Sequence, residues 1–307
     1  MLLLRGCVFA TGSIALVFLI GSGQRASAQQ PAASDPKAVR ETRTALFTPS
    51  PSLSAIPLPA PVSQDHPLGS VLQFAREEQI YLRQAVHDFT CRLVKRERID
   101  GILQDYCHID MRVREEVRRG DTIDQPMSIF LQFMAPSKVA GRRVLYVAGE
   151  NEGKMLVRNG GRYFDYVVVE VDPLGENAMR ESLVPITQSG FNQVLDQMIR
   201  ILQRHAEADP TGRNTRVHRI MGATVNHRPC SAIRITHPEK QGGLEFHVAN
   251  VLIDDELRVP VHIDFSDWPK QASQPPPLMA EYTYTHLKIN VNLSDREFSS
   301  AQLRAKR

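Results

Sequence analysis

The chain has 307 residues, 42% of them hydrophobic, and 37 Lys and Arg against 34 Asp and Glu give a formal charge of +3. That length suits one good-sized domain with flanking segments and is short for two. So even a charge balance excludes bulk nucleic-acid binding as the organising function, and no nucleic-acid partner is expected.

Residues 1–28 read as a signal peptide: Arg5 supplies the positive end, Cys7 to Ile20 the apolar run, and Ala26-Ser27-Ala28 the small-residue cleavage site. Export to the periplasm or another extracytoplasmic space is expected, with an uncleaved anchor as the alternative. Removing the leader deletes Arg5 and Arg25 and no acidic residue, leaving +1. Residues 29–67 are rich in Pro, Ala, Ser and Gln. They read as a disordered, PPII-like linker, either a tether to the envelope or processing debris.

Residues 68–298 read as a single domain. It opens with an amphipathic helix over 68–87, where Leu68, Val71, Leu72, Ala75, Leu82, Ala85 and Val86 recur at helical spacing. A long β-hairpin over 88–117 follows. Phe89, Cys91 and Leu93 take every second position before Asp100-Gly101, and Leu103, Cys107, Ile109, Met111 and Val113 lie on one face after it. A two-residue loop would set Cys91 opposite Asp110. The faces therefore predict a three-residue loop, Ile99 to Gly101 with a glycine bulge, pairing Leu93 with Cys107, Cys91 with Ile109 and Phe89 with Met111. On the other face Arg92, Arg96, Arg98, Arg112 and Arg114 cluster, with Glu97, Asp110, Glu115 and Glu116 among or beside them, which reads as a solvated strand face ahead of an anionic-lipid patch.

Strands are then expected at 128–134, 142–148, 154–159 and 162–171, with turns at Ala135-Pro136, Asn151-Glu152-Gly153 and Gly160-Gly161. The last is apolar on both faces and is expected mid-sheet. A second amphipathic helix is predicted after Ser189 as N-cap, with Phe191, Val194, Leu195, Met198 and Leu202 in one stripe that ends near His205. Alternating strands resume at 216–221, 223–226, 231–236, 244–253, 259–265 and 279–291, and the change of parity after Val248 suggests a bulge at Ala249-Asn250. The sum is an α+β fold, a large curled antiparallel sheet of roughly ten or eleven strands with two helices available for one face. Residues 299–307 read as a C-terminal tail.

Three cysteines follow the leader: Cys91, Cys107 and Cys230. An odd number in an oxidising compartment leaves at least one thiol without an intramolecular partner. In the expected register Cys91 and Cys107 sit diagonally, too far apart for relaxed disulfide geometry, and a loop two residues longer would set them opposite each other. Both a bridge and three small buried hydrophobes stay open.

Several stretches together resemble a bacterial family of exported proteins known as domain of unknown function 1571, over about 81–298. They are FTCRLVKRERIDG, MSIFLQFMAPSKVAGRRVLYVAGENEGKMLVR, VDPLGENAMRESLVPITQSG, FHVANVLIDDELRVPVHIDFSDWPK and EYTYTHLKINVNLSDREF. More distantly, IFLQFMAPSKVAGRRVLYV and YTYTHLKINVNLSDREF are similar to strands of the LolA and LolB lipoprotein-carrier superfamily. That resemblance implies an open half-barrel with helices on its concave face. It further implies a ligand cavity lined by Ile129, Leu131, Phe133, Phe191, Leu195, Met198, Leu202 and Phe246, either hollow for an acyl chain or filled as a dry core.

No enzyme motif competes with this. There is no G-x-S-x-G, residues 149–154 are one spacer short of a phosphate loop, and the ten histidines form no H-E-x-x-H or zinc spacing. His108 with Asp110, and His262 with Asp264, share strand faces and read as polar strand positions ahead of metal or acid–base pairs. Asn292-Leu293-Ser294 matches a glycosylation sequon. No catalytic residue, metal or cofactor is expected. The leading expectation is a non-enzymatic extracytoplasmic binding protein for lipid or lipoprotein acyl chains, in peripheral or tethered association with the envelope. The alternative is an envelope structural or protein-interaction module that works through exposed strand edges.

Overall fold

The structure is a computed structural model that describes residues 62–160 and 167–304. The predicted signal peptide and residues 29–61 of the predicted linker lie outside the described residues. In chain order the described elements begin with α1 (Gly69–Ala85), β1 (Asp88–Ile99), β2 (Ile102–Leu103), β3 (Cys107–Arg114), β4 (Val117–Arg119), β5 (Thr122–Gln125) and β6 (Ser128–Ala135). They continue with β7 (Arg143–Val147), β8 (Met155–Arg158), β9 (Val168–Val171), α2 (Glu176–Met179), α3 (Phe191–Ala208), β10 (Arg216–Val225) and β11 (Arg228–Thr236). The last are β12 (Val248–Asp254), β13 (Pro260–Ser266), β14 (Leu278–Ile289) and α4 (Ser300–Arg304).

The hairpin turns on Asp100 and Gly101, at φ 51° and 79°, with Ile99 opposite Ile102. Asp-Gly suits such a two-residue turn because both positions need positive φ. The chain then leaves the ladder at residues 104–106 and returns with Lys95 opposite Cys107. Between Arg98↔Leu103 and Lys95↔Cys107, β1 advances three residues and the returning chain four. That bulge restores the parity a two-residue loop alone would break, so Phe89 faces Val113, Cys91 faces Met111 and Leu93 faces Ile109. The expected three-residue loop, with Leu93–Cys107, Cys91–Ile109 and Phe89–Met111 pairs, is therefore corrected. The apolar faces match as expected, but the extra residue sits after the turn, and Cys91, Cys107 and Cys230 are all free thiols.

The β1 strand is the middle of a twelve-stranded antiparallel sheet ordered β10-β11-β12-β13-β14-β1-β3-β6-β7-β8-β9, with β2 paired to β1. The end strands β9 and β10 do not pair with each other, so the sheet is not closed. A separate hairpin joins β4 and β5. Three sequence expectations change here. The 162–171 strand is described only from Val168, pairs with β8 alone and lies at the sheet's edge with Val169 exposed, not mid-sheet. Of the described part, Val169 and Val171 face the cavity, and Val168 packs against the Phe298 and Leu303 core on the other face. The strand expected from 244 begins at Val248; Leu244 and Phe246 are buried ahead of it, and Ala249 and Asn250 pair without a bulge. That run changes parity because two of its apolar residues precede the strand. The strands expected at 216–221 and 223–226 are one strand with a register shift between Ile220 and Ala223, where Gly222 takes φ 75°.

Helices α1 and α3 pack on each other and on one face of β11, β12 and β13, burying Val71, Leu72, Leu82, Leu195 and Leu202 with Ile233, Ile235 and Val251. Residues 62–67, counted with the linker from their composition, dock there too. The buried His66 donates from Nε2 to the Asp209 carbonyl at 2.9 Å and accepts the Leu68 N–H on Nδ1 at 3.1 Å. The opposite face of β6 and β7 has its own small core of Phe130, Leu145 and Val147 under Phe298 and Leu303. The predicted tail thus holds α4, whose Leu303 is fully buried.

Candidate functional site

Helix α3 starts at Phe191, and its cap comes from outside the helix. The residue before it, Gly190, offers no side chain, and Ser189 makes no capping bond, so the expected Ser189 cap is corrected. The carboxylate of Glu115, just beyond β3, accepts the Phe191 N–H at 2.6 Å on Oε1 and the Asn192 Nδ2 amide at 3.2 Å on Oε2. An anion at a helix N-terminus meets unpaired N–H groups and the positive end of the helix dipole. A Cβ at position 190 would come within 2.7 and 2.9 Å of the Glu115 oxygens, so only glycine lets that carboxylate in. Glu115 is fully buried, and desolvation pushes its carboxyl up to about 7 against the pull of those N–H bonds. Phe191 is seated by stacking, its ring 4.3 Å from that of Phe89 and 5.2 Å from that of Tyr284.

With the helix start pinned over the middle of the sheet, the β6–β9 half is left without a long helix. A cavity of about 370 Å³ lies there, inside the roughly 300–1,000 Å³ range of ligand pockets. Its floor is Leu93, Ile109, Met111, Leu131, Phe133, Val144, Met155, Val157, Val169 and Val171, with Ile263, Phe265, Tyr282 and Tyr284 on the far side. Eight strands, β1, β3, β6, β7, β8, β9, β13 and β14, therefore reach one hollow, which requires the sheet to curl around it. The cover is α3, through Val194, Met198 and Ile201, and the 173–189 segment that contains α2. A second cavity of about 60 Å³ lies between α1, α3 and β11–β13.

Of the residues expected to line a cavity, Leu131, Phe133 and Met198 line the large one, and Leu195, Met198, Leu202 and Phe246 line the small one. Ile129 and Phe191 line neither and are fully packed. Missed were the rest of the floor on β1, β3, β7, β8, β9, β13 and β14, Val194 and Ile201 on α3, the 173–189 cover and the two cations of the wall, Lys95 and Arg142. The cover carries no periodicity that would place it. Lys95 lies one step past Leu93 in parity and signals only as a charge on an apolar face.

The wall's charged residues are Lys95, Arg142 and Glu181. Lys95 Nζ donates to Glu97 Oε2 and to Ser182 Oγ, each at 2.8 Å, while the Tyr282 hydroxyl donates to Glu97 Oε1 at 2.8 Å. Arg142 pairs with Glu181. Elsewhere His262 joins Thr283 at 2.8 Å and Asp264 at 3.1 Å, and Asp110 takes Arg92 on both oxygens. These are cross-strand polar ladders, and none of their members lines either cavity. Among the described residues no cluster of three His, Cys, Asp or Glu is placed to hold a metal, and no helix is long and apolar enough to cross a membrane.

Fold and site together define an α+β protein whose open antiparallel sheet encloses an apolar cavity. The chain belongs to the family described as Protein of unknown function (DUF1571), whose model matches residues 86–306. A search of curated proteins returns no match. Among solved structures it is similar to a putative outer membrane lipoprotein-sorting protein domain from Vibrio parahaemolyticus, 11% identical at a TM-score of 0.36 over 76% of this chain and 98% of that one. It is also similar to the Mycobacterium tuberculosis lipoprotein LppX, 12% identical at 0.37 over 73% and 99%. A LolA superfamily protein from Nitrosomonas europaea is 8% identical at 0.31 over 75% and 98%.

Proposed function

We propose that this chain is an exported binding protein that shelters the acyl chain of a lipid or lipoprotein in the cavity beneath α3 and the 173–189 segment, and that it performs no catalysis. The observation that carries the reading is the cavity itself: about 370 Å³ of space walled by aliphatic, aromatic and methionine side chains from eight strands and a helix. Such a space left empty forfeits dispersion contacts along its whole lining. Filling it with hydrocarbon recovers them, and burying each methylene stabilises by about 0.8 kcal/mol. The leader sequence supports an extracytoplasmic setting, where acyl chains must cross water between membranes. Native mass spectrometry with solvent extraction, on the chain purified from a bacterial envelope, tests the reading. A lipid or acylated peptide at defined stoichiometry is expected. A clean apo mass, together with failure to take up a fluorescent fatty acid, would overturn it.

One observation favours a second reading, an envelope interaction module. The edge strand β10 is ten residues long and exposes Ile220 and Met221, the latter 75% accessible, beside unpaired backbone. Retention of a protein partner that is lost on substituting Met221 with Lys would support that reading.

A further inference from the structure

The two cations of the cavity wall converge on one point of the cover. Lys95 Nζ holds Ser182 Oγ at 2.8 Å, and Arg142 holds the adjacent Glu181. Each keeps a donor unused. An ammonium has three N–H groups, and among the described residues Lys95 spends its own on Glu97 and Ser182 alone. Arg142 Nε is buried with no hydrogen-bond partner. A buried cationic donor without an acceptor is costly, so its persistence in a cavity wall points to an acceptor that arrives with a ligand. The acidic neighbours do not supply it. Glu97 already accepts from both Lys95 and Tyr282, while Glu181, 60% exposed, meets Arg142 through Nη1 and leaves Nε unpaired. Surface pairs of that kind contribute little and give way to a better-placed anion.

We propose that Lys95 and Arg142 form a headgroup site at one end of the cavity, selecting amphiphiles with an anionic head, a carboxylate or a phosphate, over neutral ones. The inference rests on the acyl-chain reading above and names the ligand's polar end. Charge-assisted bonds from ammonium and guanidinium to an oxyanion are the strong class, and the planar guanidinium fits two oxygens at once. The apolar walls take the chain, the two cations the head. Binding there also offers Lys95 and Arg142 a partner other than Ser182 and Glu181, and so couples the head to the cover.

The test is displacement of a neutral fluorescent probe, 1-aminoanthracene, from the full chain by palmitate, monohexadecyl phosphate and hexadecanol, which share a chain length and differ in the head. Both anions are expected to bind roughly tenfold or more tightly than the alcohol. Their relative order tells whether a carboxylate or a phosphate is the natural head. Arg142→Gln and Lys95→Gln should each pull the palmitate affinity toward that of hexadecanol, whereas Lys240→Gln, which removes an exposed charge that pairs with Asp267 and lines neither cavity, should keep the preference. The wild-type comparison needs no variant, so misfolding of Lys95→Gln leaves the test standing. Equal wild-type affinities for palmitate and hexadecanol would overturn the headgroup site while leaving the acyl-chain reading intact. Failure of all three to displace the probe would remove both.

Discussion

Two buried residues set opposite pH dependences on this fold. Glu115 caps α3, and because burial raises its carboxyl to about 7 from an ordinary 4.5, it takes up a proton on folding. Its contribution to stability is therefore complete below about pH 4.5 and is lost as the pH rises through about 7. The shift corresponds to about 3 kcal/mol. Melting the wild type and Glu115→Gln at pH 5 and pH 8 should show the wild type losing stability relative to the variant at the higher pH; parallel profiles would refute the assignment. His205 works the other way. It is fully buried at the end of α3, with Nδ1 2.8 Å from His237 Nε2 and Nε2 accepting the Glu245 N–H at 3.0 Å. Burial first, then the neighbouring His237 and Arg204, hold it down at about 3. The folded state keeps it neutral, so its stabilisation is present above the ordinary 6.5 and declines as the pH falls below that. An acid limb starting near pH 6 and reduced in His205→Gln, where the similarly depressed His237 remains, is the expected signature in the same melts.

At the scale of elements, Met198 lines both cavities, as do Ile201 beside it on α3 and Phe265 on β13. Met198→Trp should fill part of the larger space, abolish fatty-acid uptake in a fluorescence assay and leave the melting temperature unchanged or higher, because it adds contacts where none are lost. Uptake at wild-type level would place the ligand elsewhere. The same helix shows how far the sequence could be read. Its stripe of Leu195, Met198 and Leu202 was legible because helical period and burial are local properties, as was the alternation of Val261, Ile263 and Phe265 in β13. Its cap was not, since the acceptor is Glu115, seventy-six residues earlier in the chain. The hairpin register failed for a related reason. Parity fixed the faces correctly, but the bulge at 104–106 leaves no mark in residue type. The run ending in β9 misled about position only: its described residues are contacted on both faces, by the cavity wall and by the Phe298 and Leu303 core, but an apolar strand looks the same whether it lies mid-sheet or at the edge. Of the expected lining, Leu131, Phe133 and Met198 line the large cavity, while Ile129 and Phe191 are packed core, because the apolar pattern marks burial and does not tell a hollow from a filled space. The cover and the two cations were not legible, because they belong to the cavity only through long-range packing.

At the scale of the whole molecule the sheet is covered unequally. Over β11–β13 two long helices leave about 60 Å³, and α1 is further tied down by Arg258 Nη2 to Glu78 Oε1 at 2.6 Å. Over β6–β9 the cover is the 173–189 segment, whose regular structure is one four-residue helix and one short 3-10 turn, with about 370 Å³ beneath it. Local opening free energy follows buried apolar contact, so the two halves should differ in stability in the empty protein. Hydrogen exchange followed by mass spectrometry should find β8, β9 and 173–189 exchanging faster than β11 and β12. Saturating palmitate should then slow exchange in β8, β9 and the cover, since a ligand that binds only the closed form raises the opening cost by RT ln(1 + [L]/Kd), about 2.7 kcal/mol at a hundredfold excess over Kd. The strands β11 and β12, already sealed by α1 and α3, should change little. Uniform protection across the sheet would mean that the ligand stabilises the fold as a whole, with the 173–189 segment acting as wall and not as door.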